Sequence, residues 1–285
     1  MQEFERHLMR NILALHCDLA NGTYHHGPYA HFRINDPKPR DIHKALVRDR
    51  LVHHALYRQL YPFFDRTFVA DSYSCREGKG THRAMDRFQS FARRVSKNDT
   101  RTCWVLKCDI RKFFASIDQQ ILLAMLKQRI ADERTVTLLA EVIESFHSTA
   151  PGKGLPLGNL TSQLLVNIYM NEFDQFATHQ LKATHYIRYA DDFVFLSEDR
   201  AWLEGLLPRI RTFLATKLKL ELHPRKVSIE TLASGVDFLG GCTFPTIACC
   251  ARRRSEGCSK RSKTIRVRRR VRRIGGCWGG GTRTG

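Results

Sequence analysis

The chain has 285 residues, of which 42% are apolar, and a formal net charge of +19 from 47 Lys and Arg against 28 Asp and Glu. This length and apolar content suffice for a sizeable core, and the charge indicates a polyanionic partner, most often nucleic acid. The chain has no run of about 18 apolar residues, so we expect no transmembrane helix. The N-terminus lacks a signal-peptide pattern, so we expect a cytoplasmic protein without membrane contact.

The first hundred residues predict a mostly helical region. The spacing of their apolar residues indicates helices, and Gly and Pro indicate turns and short strands between them. The expected elements are a helix at 2–20, turns and short strands at 21–40, a helix at 48–64 and a helix that begins near Thr81.

Residues 101–245 combine strands and helices, which indicates an α+β fold similar to a split βαβ unit. The helix at 161–181 is expected to be capped by Asn159 or Thr161 and to present Asn167 and Asn171 to solvent. The expected elements are strands at 103–110 and 226–231, helices at 118–130, 134–146, 161–181 and near 200–220, a loop at 151–159, and the segments HYIRYADDFVFLS at 185–197 and GVDFLGG at 235–241.

Two adjacent aspartates interrupt the apolar run at residues 185–197. Burying ionised carboxylates is costly without compensation, so we expect the chain to turn at Ala190–Asp192, where Asp is a favoured residue. Taken alone, this is also the pattern of an ordinary hairpin tip in water. Asp109, however, ends a second apolar strand, and two strand tips that each present a carboxylate form an oxygen-ligand site suited to Mg²⁺.

Three motifs resemble those of reverse transcriptases: YADD at 189–192, CDIRKFF at 108–114 and GLPLGNLTSQLLVNIY at 154–169. They stand in the order and spacing of that family, and the resemblance covers roughly residues 20–245. It implies right-hand polymerase fingers and palm, and an RNA-directed DNA polymerase that makes cDNA from an RNA template. It also implies two Mg²⁺ ions, with Mn²⁺ as an alternative, and template RNA, a primer and dNTPs as partners.

The resemblance assigns roles to the residues around the carboxylates. Asp109 and Asp191 correspond to the metal-bridging carboxylates, Asp192 to a third and more peripheral one, and the backbone carbonyl of Ile110 to a further metal ligand. Phe114 matches the aromatic steric gate that excludes the 2′-hydroxyl of ribonucleotides. The alternative is that this ring belongs to the core.

Other residues are assigned to the nucleotide and the primer. Arg40, Lys44 and Arg48 lie where the family presents cations to the incoming triphosphate, although a solvated basic face explains each one equally well. Lys226 resembles the lysine proposed to protonate the pyrophosphate leaving group. The hairpin that grips the primer end is expected at three consecutive residues, Phe238, Leu239 and Gly240.

The loop LPLGNLTSQ departs from the commonest form of the family. Leu157 replaces the usual glutamine before Gly158, and Gln163 replaces the usual proline. This variant resembles the enzymes of diversity-generating retroelements, which copy template adenines with errors (mutagenic retrohoming) and work with a small basic accessory protein. Loss of a glutamine hydrogen bond worth about 0.5–1.5 kcal/mol lowers discrimination roughly 2- to 13-fold. The alternative is that Leu157 only packs the loop and copying is faithful.

The C-terminal segment differs in composition, since residues 246–285 hold 13 Lys and Arg and one Glu. One interpretation is a disordered, RNA-binding basic tail. Another interpretation is a frameshift near codon 246, because the shifted codons can spell a sequence that resembles the start of the family's thumb. In that case the thumb of this chain is truncated or absent. The predicted domains are an N-terminal and fingers region at 1–100, a palm with a primer-grip-like hairpin at 101–245, and this Cys- and Gly-rich tail.

Two rival functions agree with the same motifs. A catalytically deficient RNA-binding remnant keeps the fold but, without a thumb, fails to hold a primer end. A defence-type reverse transcriptase makes untemplated or self-primed DNA.

Overall fold

The chain folds as a mixture of strands and helices over residues 4, 6–35, 39–148 and 150–243, which our computed structural model describes. The strands are β1 (Ala30–Ile34), β2 (Arg40–Lys44), β3 (Trp104–Asp109), β4 (Tyr186–Tyr189), β5 (Asp192–Ser197), β6 (Ser228–Thr231), β7 (Val236–Phe238) and β8 (Gly241–Thr243). The helices are α1 (Leu8–Asn21), α2 (Val47–Asp65), α3 (Thr81–Val95), α4 (Phe113–Ser116), α5 (Gln119–Arg129), α6 (Glu133–Glu144), α7 (Leu160–Gln175) and α8 (Arg200–Lys217). This mixed architecture agrees with the predicted α+β class.

The central sheet has four antiparallel strands in the order β4-β5-β3-β6. Strand β3 is followed by helices α4 to α7. Strands β4 and β5 then form a hairpin, and helix α8 leads from β5 to β6. This succession is that of a split βαβ unit. Two antiparallel hairpins, β1-β2 and β7-β8, lie outside the central sheet.

Apolar side chains cover both faces of the central sheet. The buried apolar side chains form two core clusters, a larger one and a smaller one. Because neighbouring strand residues point to opposite faces, Leu106 and Phe195 belong to the larger core cluster, whereas Val105 and Leu196 belong to the smaller one. Helices α7 and α8 supply the larger cluster, and α3 supplies the smaller. Because both faces are covered, the strands read as continuous apolar runs rather than alternating ones.

The start of α7 differs from its prediction. Asn159 does occupy the N-cap position, but its side chain makes no capping hydrogen bond. Its amide instead donates to the His43 carbonyl at 2.7 Å and accepts from the Ala45 N–H at 3.2 Å. Thr161 contacts the ring of His53. Both residues therefore tie the start of α7 to the chain around β2 and α2 rather than capping the helix.

The prediction that Asn167 and Asn171 face solvent is wrong. Both are buried, at 1% and 6% exposure. The Asn167 side-chain amide donates to the Ser74 carbonyl at 2.9 Å, and the Asn171 side-chain Oδ1 accepts from the Gln175 side-chain amide at 3.3 Å. Since nearly all of α7 is buried, its polar positions lie inside the protein, where helical spacing alone does not reveal their partners.

Residues 246–285, for which the sequence predicts a basic tail or a frameshifted thumb, lie outside the described residues. Within the described part of the chain, no helix is both long and apolar enough to cross a membrane.

Candidate active site

Two strands of the central sheet end in carboxylates at the same edge. Asp109 is the last residue of β3 and Asp192 the first of β5, and they are paired across the antiparallel ladder. Residues paired in this way have Cα atoms about 4.5–5.5 Å apart and side chains on one face. Asp109 is 6% exposed, so its charge has to be compensated within the protein.

Asp191 reaches the same edge through a tight turn. Tyr189 pairs with Asp192, so Ala190 and Asp191 alone join β4 to β5, which confirms the predicted hairpin. Ala190 has a φ of 54°, in the left-handed region that a residue with a Cβ rarely adopts. The Ile110 N–H donates to the Asp191 carbonyl at 3.3 Å, which connects the turn to the end of β3.

Burial and like charge raise the pKa of two of these carboxylates. Burial, Asp191 and Asp109 raise the pKa of Asp192 to about 7. Burial and then Asp109 raise the pKa of Asp191, against the opposing effects of a backbone hydrogen bond, Lys226 and Arg40. Negative charge at Asp191 and Asp192 is therefore unfavourable in the metal-free protein, and a bound cation would stabilise it.

Lys226 lies directly at the carboxylates. Its Nζ donates to Asp109 Oδ2 at 2.7 Å, and this hydrogen bond raises the pKa of Lys226 against the effect of burial. The loop that carries it is held at the same strand end, because the His223 N–H donates to the Asp109 carbonyl at 2.8 Å. The sequence predicts a role for Lys226 at the leaving group, but it does not predict this contact.

The donor set at this edge fits a hard divalent cation. Mg²⁺ takes one or two carboxylates and completes its coordination with water and substrate phosphates. Among the described residues, no group of three or more His, Cys, Asp or Glu side chains is placed so that it could hold a metal ion. Asp109, Asp191 and Asp192 supply carboxylate oxygens of the kind that Mg²⁺ takes, and the further ligands of such an ion would come from water and substrate phosphates.

The three predicted triphosphate-binding cations have different surroundings. Arg40 begins β2, is exposed, and lies close enough to Asp191 to lower the pKa of that carboxyl. Lys44 ends the same strand and is also exposed. Arg48 is half-buried and donates to Asp18 at 2.7 Å and to the His25 carbonyl at 3.0 Å. Arg48 thus has structural partners, and its contact with a nucleotide stays a prediction.

The loop that carries Leu157 packs against β2. The His43 N–H donates to the Leu157 carbonyl at 3.0 Å. Gly158 has a φ of 109°, and a Cβ at this position would lie 2.8 Å from Ile42 Cγ2, so both the backbone conformation and the space require glycine. Leu157 and Gln163 are half-buried, so part of each side chain packs against the protein and part is accessible.

Phe114 is half-buried and packs against the larger core cluster, whereas its neighbour Phe113 is fully within that cluster. The ring of Phe114 contacts that of Phe113 edge to face, with centroids 5.6 Å apart. Because part of the Phe114 ring remains accessible, both the steric-gate and the core interpretations agree with its position.

The segment GVDFLGG forms the β7-β8 hairpin. Phe238 is buried and stacks on Phe88, with ring centroids 5.5 Å apart. Leu239 and Gly240 form its two-residue turn with φ values of 56° and 78°, which is the pattern of a tight primed turn. The assigned primer-gripping residues thus comprise the core side chain of Phe238, the half-buried Leu239, which packs against the smaller core cluster, and the exposed Gly240.

Sequence reasoning missed two residues beneath the Asp191 turn. Arg188 and Asp174 are both fully buried and form an ion pair, with Nη2 2.6 Å from Oδ2. The available signal was a single arginine inside the apolar run HYIRYADD, where a lone charge has to find a partner.

Residues 35–242 match the family described as "Reverse transcriptase (RNA-dependent DNA polymerase)". The chain is 28% identical over 257 residues to Protein YkfC of Escherichia coli (strain K12), a match that covers 76% of this chain and 67% of that protein. It is 22% identical over 297 residues to the group II intron-encoded protein LtrA of Lactococcus lactis subsp. cremoris, covering 78% of this chain and 48% of LtrA. The chain thus spans about two thirds and about half of these two relatives.

Solved telomerase structures resemble the fold. The telomerase from Candida albicans, solved with a fragment of telomeric RNA, has a TM-score of 0.58 at 11% identity, covering 79% of this chain and 46% of that one. Apo telomerase from Candida tropicalis has a TM-score of 0.57 at 11% identity, covering 76% and 47%. At this level of identity the likeness concerns the fold alone.

Replacing Asp192 by Asn should stabilise the metal-free protein in a pH-dependent way. The raised pKa means that the cost of ionising Asp192 in the folded state is fully present above about pH 7 and diminishes progressively as the pH falls from there towards the ordinary pKa of Asp. We therefore expect the Tm of Asp192→Asn to exceed that of the wild type at pH 8 in EDTA, and the difference to shrink at pH 5. Exposed Glu144→Gln serves as the control. A Tm difference that is equal at both pH values would contradict the assignment.

Proposed function

The chain belongs to the reverse transcriptase (RNA-dependent DNA polymerase) family, and we propose that it copies an RNA template into cDNA by metal-dependent nucleotidyl transfer at Asp109, Asp191 and Asp192. The observation that carries this proposal is the pairing of Asp109 with Asp192 beside the Asp191 turn. We further propose that residues 1–100 act as the N-terminal and fingers region and residues 101–245 as the palm.

Each carboxylate has its own place in this proposal. Asp109 and Asp191 would hold both of two Mg²⁺ or Mn²⁺ ions, with Asp192 at the periphery and the Ile110 carbonyl as a further ligand. Such ions supply charge that stabilises the attacking and leaving oxygens of an in-line phosphoryl displacement. The protein contributes the placement, because β3, β5 and the tight turn fix the three carboxylates at one sheet edge.

Lys226 has two roles in this proposal. Its ammonium lies 2.7 Å from Asp109 Oδ2 and compensates a carboxylate that is otherwise costly to bury. During transfer the primer 3′-hydroxyl loses its proton to solvent water, its oxygen bonds to the α-phosphorus, and the bond from that phosphorus to pyrophosphate breaks. Lys226 would then donate a proton to the departing pyrophosphate, a general-acid role that an ammonium beside the carboxylates can fill.

The nucleotide would be bound between β2 and the carboxylates. Arg40 and Lys44 are exposed cations on β2 that suit triphosphate oxygens, whereas Arg48 would act mainly by fixing α2 to Asp18. The accessible part of Phe114 would exclude the 2′-hydroxyl. Template RNA, a primer and dNTPs are the partners of this reaction.

Leu157 and Gln163 support a finer proposal, namely that the enzyme belongs to a diversity-generating retroelement and is error-prone at template adenines. A leucine cannot offer the side-chain hydrogen bond of a glutamine near the nucleotide, so the bound nucleotide is held less tightly. In that setting a small basic accessory protein is an additional partner.

Asp191→Asn tests the proposed chemistry. We expect Mg²⁺-dependent primer extension on an RNA template to fall by at least about 10²-fold, the scale of losing one electrostatic contributor to catalysis, while binding of the RNA–DNA duplex measured by fluorescence anisotropy changes little. Glu144→Gln should extend normally. Undiminished extension by Asp191→Asn would disprove the catalytic assignment, and a wild type that binds the duplex without extending it would favour the RNA-binding remnant.

Leu157→Gln tests the error-prone proposal. Restoring the side-chain hydrogen bond should lower misincorporation opposite template adenine by roughly 2- to 13-fold, as measured by sequencing of cDNA from a defined template. Leu157→Met, which changes the shape without adding a strong hydrogen-bond donor, is the matched control. An error rate that is equal in the wild type, Leu157→Gln and Leu157→Met would show that Leu157 only packs the loop, and a rate that is also low would favour a faithful enzyme.

A further inference from the structure

Arg188 lies on β4, two residues before the turn residue Ala190, and its side chain is fully buried. It forms a two-point ion pair with Asp174 of α7, with Nε 2.7 Å from Oδ1 and Nη2 2.6 Å from Oδ2. The Tyr186 hydroxyl also donates to Asp174 Oδ1 at 2.7 Å. Because both charges have lost their water, their geometry is strongly constrained by each other.

The remaining guanidinium donors reach three different segments. Arg188 Nη2 donates to Ser72 Oγ at 3.0 Å, and Nη1 donates to Asn167 Oδ1 at 3.3 Å and to the Ala190 carbonyl at 3.1 Å. Together with the two bonds to the carboxylate, these contacts match the five N–H donors of an arginine. The orientation of the guanidinium is therefore fixed by its surroundings rather than by a single partner.

The bond to the Ala190 carbonyl connects this buried pair to the turn. Ala190 has a φ of 54°, and the left-handed conformation is unfavourable for a residue with a Cβ, so the surrounding structure has to stabilise it. The Ala190 carbonyl belongs to the peptide group that leads into Asp191. Fixing that peptide therefore fixes the backbone from which the Asp191 side chain projects.

We propose that Arg188 is a positioning residue, which uses its buried ion pair with Asp174 to hold the Ala190 peptide and so places Asp191 at the cation site. This inference rests on the proposed function of Asp191. Helix α7 thereby acts as the rigid support of the turn, through Asn167 and Asp174.

Arg188→Lys separates positioning from simple stabilisation. Lysine keeps the charge but lacks the planar fork, so it can pair with Asp174 without also holding the Ala190 carbonyl. Arg76→Lys is the matched control: Arg76 is 7% exposed in its side chain, pairs with the Asp65 carboxylate at 2.6 Å, and directs its other bonds to the Asp65, Val69 and Ser72 backbone carbonyls rather than to the turn.

The experiment measures the Tm of each full-length variant with Mg²⁺ and with EDTA, and the kcat and the KM for dNTP in primer extension. We expect Arg188→Lys to lose most of the Mg²⁺-induced rise in Tm and about 10²-fold in kcat, the scale of a misplaced catalytic group, with KM within a few-fold of the wild type. Arg76→Lys should lower the Tm but keep the Mg²⁺-induced rise and the kcat.

Ser72→Ala serves as a milder variant if Arg188→Lys does not fold. It removes one acceptor of the guanidinium without leaving a buried charge unpaired, and we expect a loss in kcat of roughly 2- to 13-fold. The positioning role would be overturned if Arg188→Lys and Arg76→Lys had equal effects. It would also be overturned if Arg188→Lys, or the folded Ser72→Ala variant, kept the wild-type kcat and the wild-type response to Mg²⁺. Asp191→Asn, measured in parallel, separates the proposed function from the positioning role of Arg188. If Asp191→Asn retains primer extension, the proposed function fails and the positioning role fails with it. If Asp191→Asn is impaired but Arg188→Lys is not, only the positioning role fails.

Discussion

The close approach of three carboxylates at one sheet edge is the constraint on which the candidate site depends. Burial and neighbouring charge raise the pKa of Asp192 to about 7 and also raise the pKa of Asp191. Such an arrangement destabilises the folded protein at neutral pH unless positive charge is present. Lys226 supplies part of that charge through its hydrogen bond to Asp109, and a divalent cation would supply the rest.

The surrounding fold holds the carboxylates in place despite this cost. The central sheet has a hydrophobic core on each face, so the strands that carry Asp109 and Asp192 cannot move apart without exposing apolar surface. Below the turn, the buried pair of Arg188 and Asp174 connects α7 to the Ala190 carbonyl. The strained turn, the charged carboxylates and the packed sheet thus lie in one continuous region of the protein.

The sequence predicts the parts of this region that depend on local pattern. Two carboxylates within an apolar run indicate the turn at Ala190–Asp192. The apolar strand that ends at Asp109 indicates that a second strand brings a carboxylate to the same site. Local sequence pattern does not predict contacts between residues that are distant in the chain. Lys226 contacts Asp109 across a separation of 117 positions. The buried Asn167 is hydrogen-bonded to Ser74 and to Arg188, which lies on a later strand. A helix that is buried on all sides gives no polar stripe from which such contacts could be inferred.

Membership of the reverse transcriptase family and the geometry of the carboxylates lead to one central claim, that this sheet edge is a divalent-cation site. The most direct test is the change in Tm on adding Mg²⁺ to metal-free wild-type protein and to Asp109→Asn at neutral pH. We expect Mg²⁺ to raise the Tm of the wild type by relieving carboxylate repulsion, and to raise that of Asp109→Asn much less. An equal rise in both proteins, or none in the wild type, would contradict the central claim.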